Sequence, residues 1–276
     1  MKTLGNLKNY KELEFAFRNL IVKGINLIVG NYGSGKSFFS LYLSLLAKSK
    51  RDFEIFEVGN VDEVYYVDGE NNYDELNRRA CKIKEALGIK EEINYTNKIE
   101  DVYNLKNCFI VIDSYLCFKN VDFSKLRDNY TIVLHHLNKI GKIYGSIKIP
   151  AFSDCAYLME NTGKYFRLTN LKDRFGKLVK RVSMRLNNYT FELVNGYVSV
   201  KISKRLKNML PEKYNSFFEK LLEGRIEGRI SGRIDGRIEG RNIIKLREDI
   251  YNKIMSLKSE KESIEEFLEK LIWKEA

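Results

Sequence analysis

The sequence predicts an α/β protein with a mainly parallel central sheet covered by helices on both faces. A β-hairpin-rich extension and a helical C-terminal tail follow. Three observations carry this reading. Short runs that are apolar throughout alternate with amphipathic helical patterns over the first two thirds of the chain, as in sheets buried on both sides. From about residue 165 the apolar runs are separated by turn residues instead of helical stretches, which is the spacing of hairpins. Beyond about residue 203 apolar positions recur at intervals of three and four.

Taken in order, core strands are expected over 25–29, 64–67, 109–112, 131–135 and 156–159, and helices over 10–20, 36–46 and 73–87. The hairpin strands fall over 165–170, 180–186, 190–194 and 197–202, with turns at 173–176 and 187–188. The core so delimited spans 1–202. An amphipathic helix over 203–223 comes next. Residues 224–241 then repeat with a strict period of four, GRIEGRISGRIDGRIEGR. Ile226, Ile230, Ile234 and Ile238 would form one stripe on a helix, drifting by about 40° per repeat. The glycines of the repeat oppose a helix by about 1 kcal/mol each relative to alanine, so this segment is a helix supported by a partner or a spacer. In 242–276, Ile243, Leu246, Ile250, Ile254 and Leu257 recur at helical spacing, as do Ile264, Phe267, Leu268, Leu271 and Ile272. That pattern suits an oligomerisation or docking segment.

The chain has 276 residues, 44% of them hydrophobic, enough for one sizeable core with an appendage. No apolar run approaches the roughly 20 residues that cross a membrane, and no signal-peptide pattern opens the sequence, so no membrane partner and a cytoplasmic location are expected. Cys81, Cys108, Cys117 and Cys155 form no CxxC pair, and three lie in apolar strand-like runs. Buried, reduced thiols are expected, not metal ligands. The formal net charge is +11 and unevenly placed. Residues 1–137 hold 19 basic and 19 acidic side chains, whereas 138–185 hold 11 basic and 3 acidic. A basic stretch confined to one region suits a polyanion, and a solvated surface is the alternative.

One motif carries chemistry directly. Gly30-Asn31-Tyr32-Gly33-Ser34-Gly35-Lys36-Ser37 fits GxxxxGK[ST], follows an apolar strand and opens a helix that begins with Phe38 close behind. Glycines let backbone N–H groups converge on a phosphate, and the helix N-terminus adds a positive dipole end. Lys36 would bridge the β- and γ-phosphates of ATP, and Ser37 would ligate Mg²⁺. Asp113 ends the run Phe109-Ile110-Val111-Ile112 and would hold the same Mg²⁺ through water, at the strand end where α/β sheets bind ligands. Ser114 follows it, so no glutamate is adjacent to activate water there. Glu70, just past the strand Val64-Tyr65-Tyr66-Val67, supplies a candidate base, with Asp68 as the alternative.

The ordered set GNYGSGKS, VYYVDGEN, FIVIDS, IVLHHLNK with Gly145-Ser146, and LKDRFG over 171–176 resembles the RecA-like ATPases, most closely the RepA-type hexameric replicative helicases of plasmids and mobile elements. The resemblance covers roughly residues 20–195. It implies a RecA-like three-layer fold, Glu70 polarising the attacking water, and His136 sensing the γ-phosphate. It also implies Arg174, with Lys172, reaching a neighbouring subunit's nucleotide as an arginine finger. The residues themselves leave open which of His135 and His136 faces the nucleotide, since neighbours on a strand point to opposite faces.

The loop after that strand carries Lys139, Lys142 and Lys148 with Tyr144 and two glycines: cations for phosphates and a ring to stack on a base. In the family resembled, this position faces single-stranded nucleic acid. The favoured expectation is therefore an oligomeric ATP-hydrolysing motor on nucleic acid, a ring or filament. The alternative is an ATP-driven protein-assembly or regulatory switch. A small-molecule kinase fits less well, because no lid or acceptor pocket is evident.

Overall fold

The computed structural model describes residues 12–118, 120–137, 151–194, 197–201 and 243–247, with scattered positions between 252 and 268. Contacts divide the chain into two compact units: residues 1–179 with 184–193, and residues 180–183 with 194–276.

The first unit opens with a small antiparallel hairpin, β1 (Phe15–Phe17) and β2 (Ile21–Val22), not the helix expected over 10–20. Leu13, Phe17 and Leu20 fit a helical spacing as well as a strand one, and so short a window does not separate the two. Asn19 settles it locally: its left-handed backbone (φ 60°) turns the chain between the strands. The main sheet follows, with β3 (Gly24–Gly30), β4 (Val64–Asp68), β5 (Asn94–Thr96), β6 (Phe109–Asp113), β7 (Tyr130–His136), β8 (Cys155–Asn161), β9 (Phe166–Asp173), β10 (Arg181–Asn187) and β11 (Thr190–Leu193). Its order is β11-β10-β9-β8-β3-β7-β6-β4-β5. The strands from β8 to β5 pair in parallel, whereas β8–β9 and β10–β11 are antiparallel.

Every residue of β3, β6 and β7 is buried, as unbroken apolar runs require. On one face Ile25, Leu27, Val29, Ile110, Ile112 and Val133 pack with Phe123 and Leu126. Elsewhere α1 (Lys36–Lys48) buries Phe39 and Tyr42 in an aromatic cluster. The Phe39 and Phe191 rings meet edge-on at 5.3 Å, and Phe39 and Phe53 at 5.8 Å. Tyr42 donates to the carbonyl of Phe191, and burial pushes its hydroxyl pKa up to about 12. The second helix, α2 (Tyr73–Leu87), begins at Asn72, whose side chain accepts from Asp74 N–H at 2.8 Å, and ends at Gly88 with φ 62°. The tight β10–β11 turn uses Asn188 and Tyr189, both at positive φ.

In the second unit β12 (Tyr197–Lys201) pairs antiparallel with β13 (Ile243–Arg247). A helix was expected from residue 242, so the first residues of that segment differ. Paired β-branched Ile243 and Ile244 suit a strand once β12 offers an edge, and a partner some forty residues away is invisible to local periodicity. Ser263 and Glu266 exchange reciprocal hydrogen bonds, a capping box that opens a helical stretch. The segments 203–223 and 224–241 lie outside the described residues. No helix among the described residues is long and apolar enough to cross a membrane. All four cysteines are free, but only Cys108 and Cys155 are buried. Cys81 and Cys117 are exposed, Cys117 because its chain leaves the sheet in a 3₁₀ turn before reaching it.

Asp154 anchors the amino end of the P-loop strand. It is buried, its Oδ2 accepts from Ile25 N–H at 2.9 Å, and it pairs with Arg127 (3.1 Å) and Arg174 (2.7 Å). Gly24, with φ 117°, leaves room for it: a Cβ there would lie 2.5 Å from Asp154 Oδ2. Asp154→Ala strands a buried N–H and two guanidinium groups. It is expected to cost about 2–3 kcal/mol of stability, read as a lowered denaturant midpoint.

Candidate active site

The GxxxxGKS segment leaves the carboxyl end of β3 and enters α1 through Gly33 (φ 72°) and Gly35 (φ 89°), left-handed positions open to glycine. Gly30 is confined for another reason, since a Cβ there would meet the Met159 carbonyl at 2.3 Å. Asn31 and Tyr32 are exposed and Ser34 is buried. Lys36 folds back over the loop, its Nζ donating to the carbonyls of Gly30 (2.9 Å) and Asn31 (3.0 Å). Burial lowers its pKa, while Asp113 and Glu70 oppose that shift. Phe38 turns its ring toward Phe191 and Tyr189, so its contribution to a phosphate site is limited to its backbone. The first-turn N–H groups of a helix have no partner within the helix, and here they open on the loop.

Because β4, β6, β7 and β3 run parallel, their carboxyl ends gather Asp68, Asp113, His136 and the loop on one edge of the sheet. Asp113 is buried and hydrogen-bonded to Ser37, as the shared-metal reading requires. Burial raises its carboxyl pKa above the usual range; the Ser37 and Tyr66 hydrogen bonds counter this, while Asp68 and Glu70 add to it. The Asp113–Ser114 peptide is cis. Tyr66 donates to Asp113 Oδ2 at 2.8 Å. Nothing in the sequence singled out Tyr66: it reads as one of several apolar strand residues, and its hydroxyl gains meaning only when β4 is placed beside β6.

Asp68 settles as a support, not the base. Its Oδ1 accepts from the N–H groups of Glu70 (2.9 Å) and Asn71 (3.0 Å) and from Asn71 Nδ2 (3.2 Å), which fixes the turn that carries Glu70. Its Oδ2 is buried and has no hydrogen-bond partner. Glu70 remains partly exposed, and its Oε2 lies 3.3 Å from Nε2 of His136. The choice between the two histidines is thereby resolved: His136 reaches the site, while His135 is fully buried beside the Tyr115 ring. Tyr32 lies against His136, with ring centroids 4.1 Å apart. The fold is that of a RecA-like P-loop ATPase.

No protein-family model and no curated protein matches the sequence. Among solved structures the chain is similar to the ATPase domain of a helicase, at 14% identity and a TM-score of 0.47, covering 61% of this chain and 84% of that one. It is also similar to the RadB recombinase, at 15% identity and a TM-score of 0.48, covering 63% and 92%.

Lys172 and Arg174 do not join this group. Asp173 is in register with Cys155, and Asn26 pairs with Cys155 on the other side, so both cations lie at the amino end of the parallel strands. The length of β3 separates them from the phosphate loop by roughly 20 Å. Arg174 holds Asp154, and Lys172 Nζ donates to the Ser153 carbonyl at 2.5 Å, with burial lowering its pKa. Lys139, Lys142, Tyr144 and Lys148 lie outside the described residues. Lys36→Ala is expected to weaken ATP binding, measured directly with a fluorescent nucleotide. Glu70→Gln should keep that binding and lose on the order of 10²–10⁴ in turnover.

Proposed function

We propose that this chain hydrolyses ATP and uses the energy to move along or remodel single-stranded nucleic acid as a homo-oligomer, in the manner of a small mobile-element helicase or translocase. The observation that carries the hydrolytic part is the Glu70 carboxylate, set beside His136 at the same strand edge as Lys36, Ser37 and Asp113. The oxygen-only groups Ser37 and Asp113, already in contact, and the unpartnered Asp68 oxygen suit a small hard cation. Mg²⁺ bound there would neutralise charge on the phosphate oxygens.

The residues divide the work. Lys36 exchanges its hold on the Gly30 and Asn31 carbonyls for phosphate oxygens, and the glycine-rich turn lets backbone N–H groups surround them. Glu70 orients a water and takes its proton, and Asp68 keeps the Glu70 backbone in place while it does so. Arg174 cannot serve its own nucleotide from the far end of the sheet. A finger role therefore requires a neighbouring subunit, with Arg174 leaving Asp154 to engage a phosphate. The nucleic-acid part rests on the 11 basic and 3 acidic residues of 138–185 and on the sequence resemblance.

ATP hydrolysis measured across protein concentration, with and without single-stranded DNA at low salt, tests both parts. Turnover per subunit should climb steeply with concentration and rise further with DNA. Changing Lys139, Lys142 and Lys148 to glutamate should remove the DNA response while leaving basal turnover. Hydrolysis indifferent to DNA would favour the protein-directed switch instead.

A further inference from the structure

Tyr32 occupies the middle of the phosphate loop and is 79% exposed, yet its ring lies almost flat on the His136 imidazole, with planes 21° apart. Phosphate binding needs no aromatic side chain at this position, since the loop acts through backbone N–H groups and Lys36. The ring contact therefore points to some other task. His136 closes β7 opposite Gly30, is nearly buried, and has an Nδ1 with no hydrogen-bond partner. Two contacts orient its imidazole: the Nε2···Glu70 hydrogen bond and the Tyr32 face. Among the described residues, His136 is the hydrogen-bond partner of the Glu70 carboxylate, whose backbone is separately fixed by Asp68.

We propose that Tyr32 is a positioning residue. By stacking on His136 it sets the imidazole, and through it the Glu70 carboxylate, and it makes that setting depend on the state of the phosphate loop. This rests on the assignment of Glu70 as the hydrolytic base. The coupling follows from Lys36. Its Nζ holds the carbonyl of Asn31, and that carbonyl belongs to the peptide leading into Tyr32. When phosphate oxygens draw Lys36 away, that peptide loses its restraint and Tyr32 shifts against His136. Arrival of nucleotide at the loop is thus passed to Glu70 through a ring contact.

The test compares the unmodified chain with Tyr32→Ala, Tyr32→Phe and Glu70→Gln, measuring steady-state ATP hydrolysis and, separately, binding of a fluorescent ATP analogue. Tyr32→Ala should lose on the order of ten- to a hundredfold in kcat, the scale of a misplaced catalytic group, with nucleotide affinity unchanged. Tyr32→Phe, which keeps the ring, should match the unmodified chain. Because the side chain is exposed, neither change disturbs the core. Wild-type kcat in Tyr32→Ala overturns the proposal. So does a Tyr32→Phe as slow as Tyr32→Ala, which would make the hydroxyl the active part. A loss confined to nucleotide affinity would make the ring a ligand contact and also overturn it. Glu70→Gln separates the two levels: if it is inactive, these outcomes judge Tyr32 alone, whereas full activity in Glu70→Gln removes the assignment on which the proposal stands.

Discussion

A single buried amide, Asn26, holds together the strand on which the site is built. Its Nδ2 donates to the carbonyls of Val22 (2.8 Å) and Thr131 (3.2 Å), and its Oδ1 accepts from the Val22 N–H and from the Cys155 thiol (both 3.0 Å). One side chain therefore joins the first hairpin, β3, β7 and β8 where β3 begins. Burying an amide is tolerable only when its hydrogen bonds are met, and here they are met by neighbours on every side. Asp154 and Asn129 complete the same end: Asp154 caps Ile25, and Asn129 accepts from Gly24 through its backbone and from Cys108 through its side chain. With its amino end so fixed, β3 delivers the phosphate loop at the other end with little freedom.

The two ends of the sheet then divide into different chemistry. At the amino ends, polar groups are paired and the carboxylate of Asp154 is matched by two arginines. At the carboxyl ends, groups are left wanting: a lysine bound only to carbonyls and a serine, a carboxylate raised by burial and by neighbouring acids, and an aspartate oxygen without a partner. Such unmet polar groups cost stability, and a nucleotide with its cation would satisfy them together. Marginal arrangements of this kind belong to sites that bind something.

Much of the sheet was legible in advance because its strands are apolar throughout and bounded by turn residues, so burial alone marks them. The bounds of β3, β4, β6, β7 and β8 each fall within two residues of those expected, and α2 agrees in full. The first hairpin was missed because its apolar residues satisfy two periods at once. The strand Ile243–Arg247 was missed because its partner is remote in sequence. At the site, Lys36, Ser37, Asp113 and Glu70 could be chosen from motif and strand ends, whereas Tyr66, Asn71 and the supporting part of Asp68 could not. Their roles consist of distances across neighbouring strands.

By itself the sequence determined the phosphate loop, the parallel core, and which carboxylates close its strands. Each of these is local: a spacing of glycines, a run of apolar residues, an acid after the run. Strand order, register and the face to which each side chain turns were decided only by the tertiary structure, because they depend on pairing between residues far apart in the chain. That pairing set His136 rather than His135 beside Glu70, laid Tyr32 on it, and put Arg174 at the opposite end of the sheet from Lys36. One residue of register separates a buried histidine from a functional one, and no local pattern records which is which.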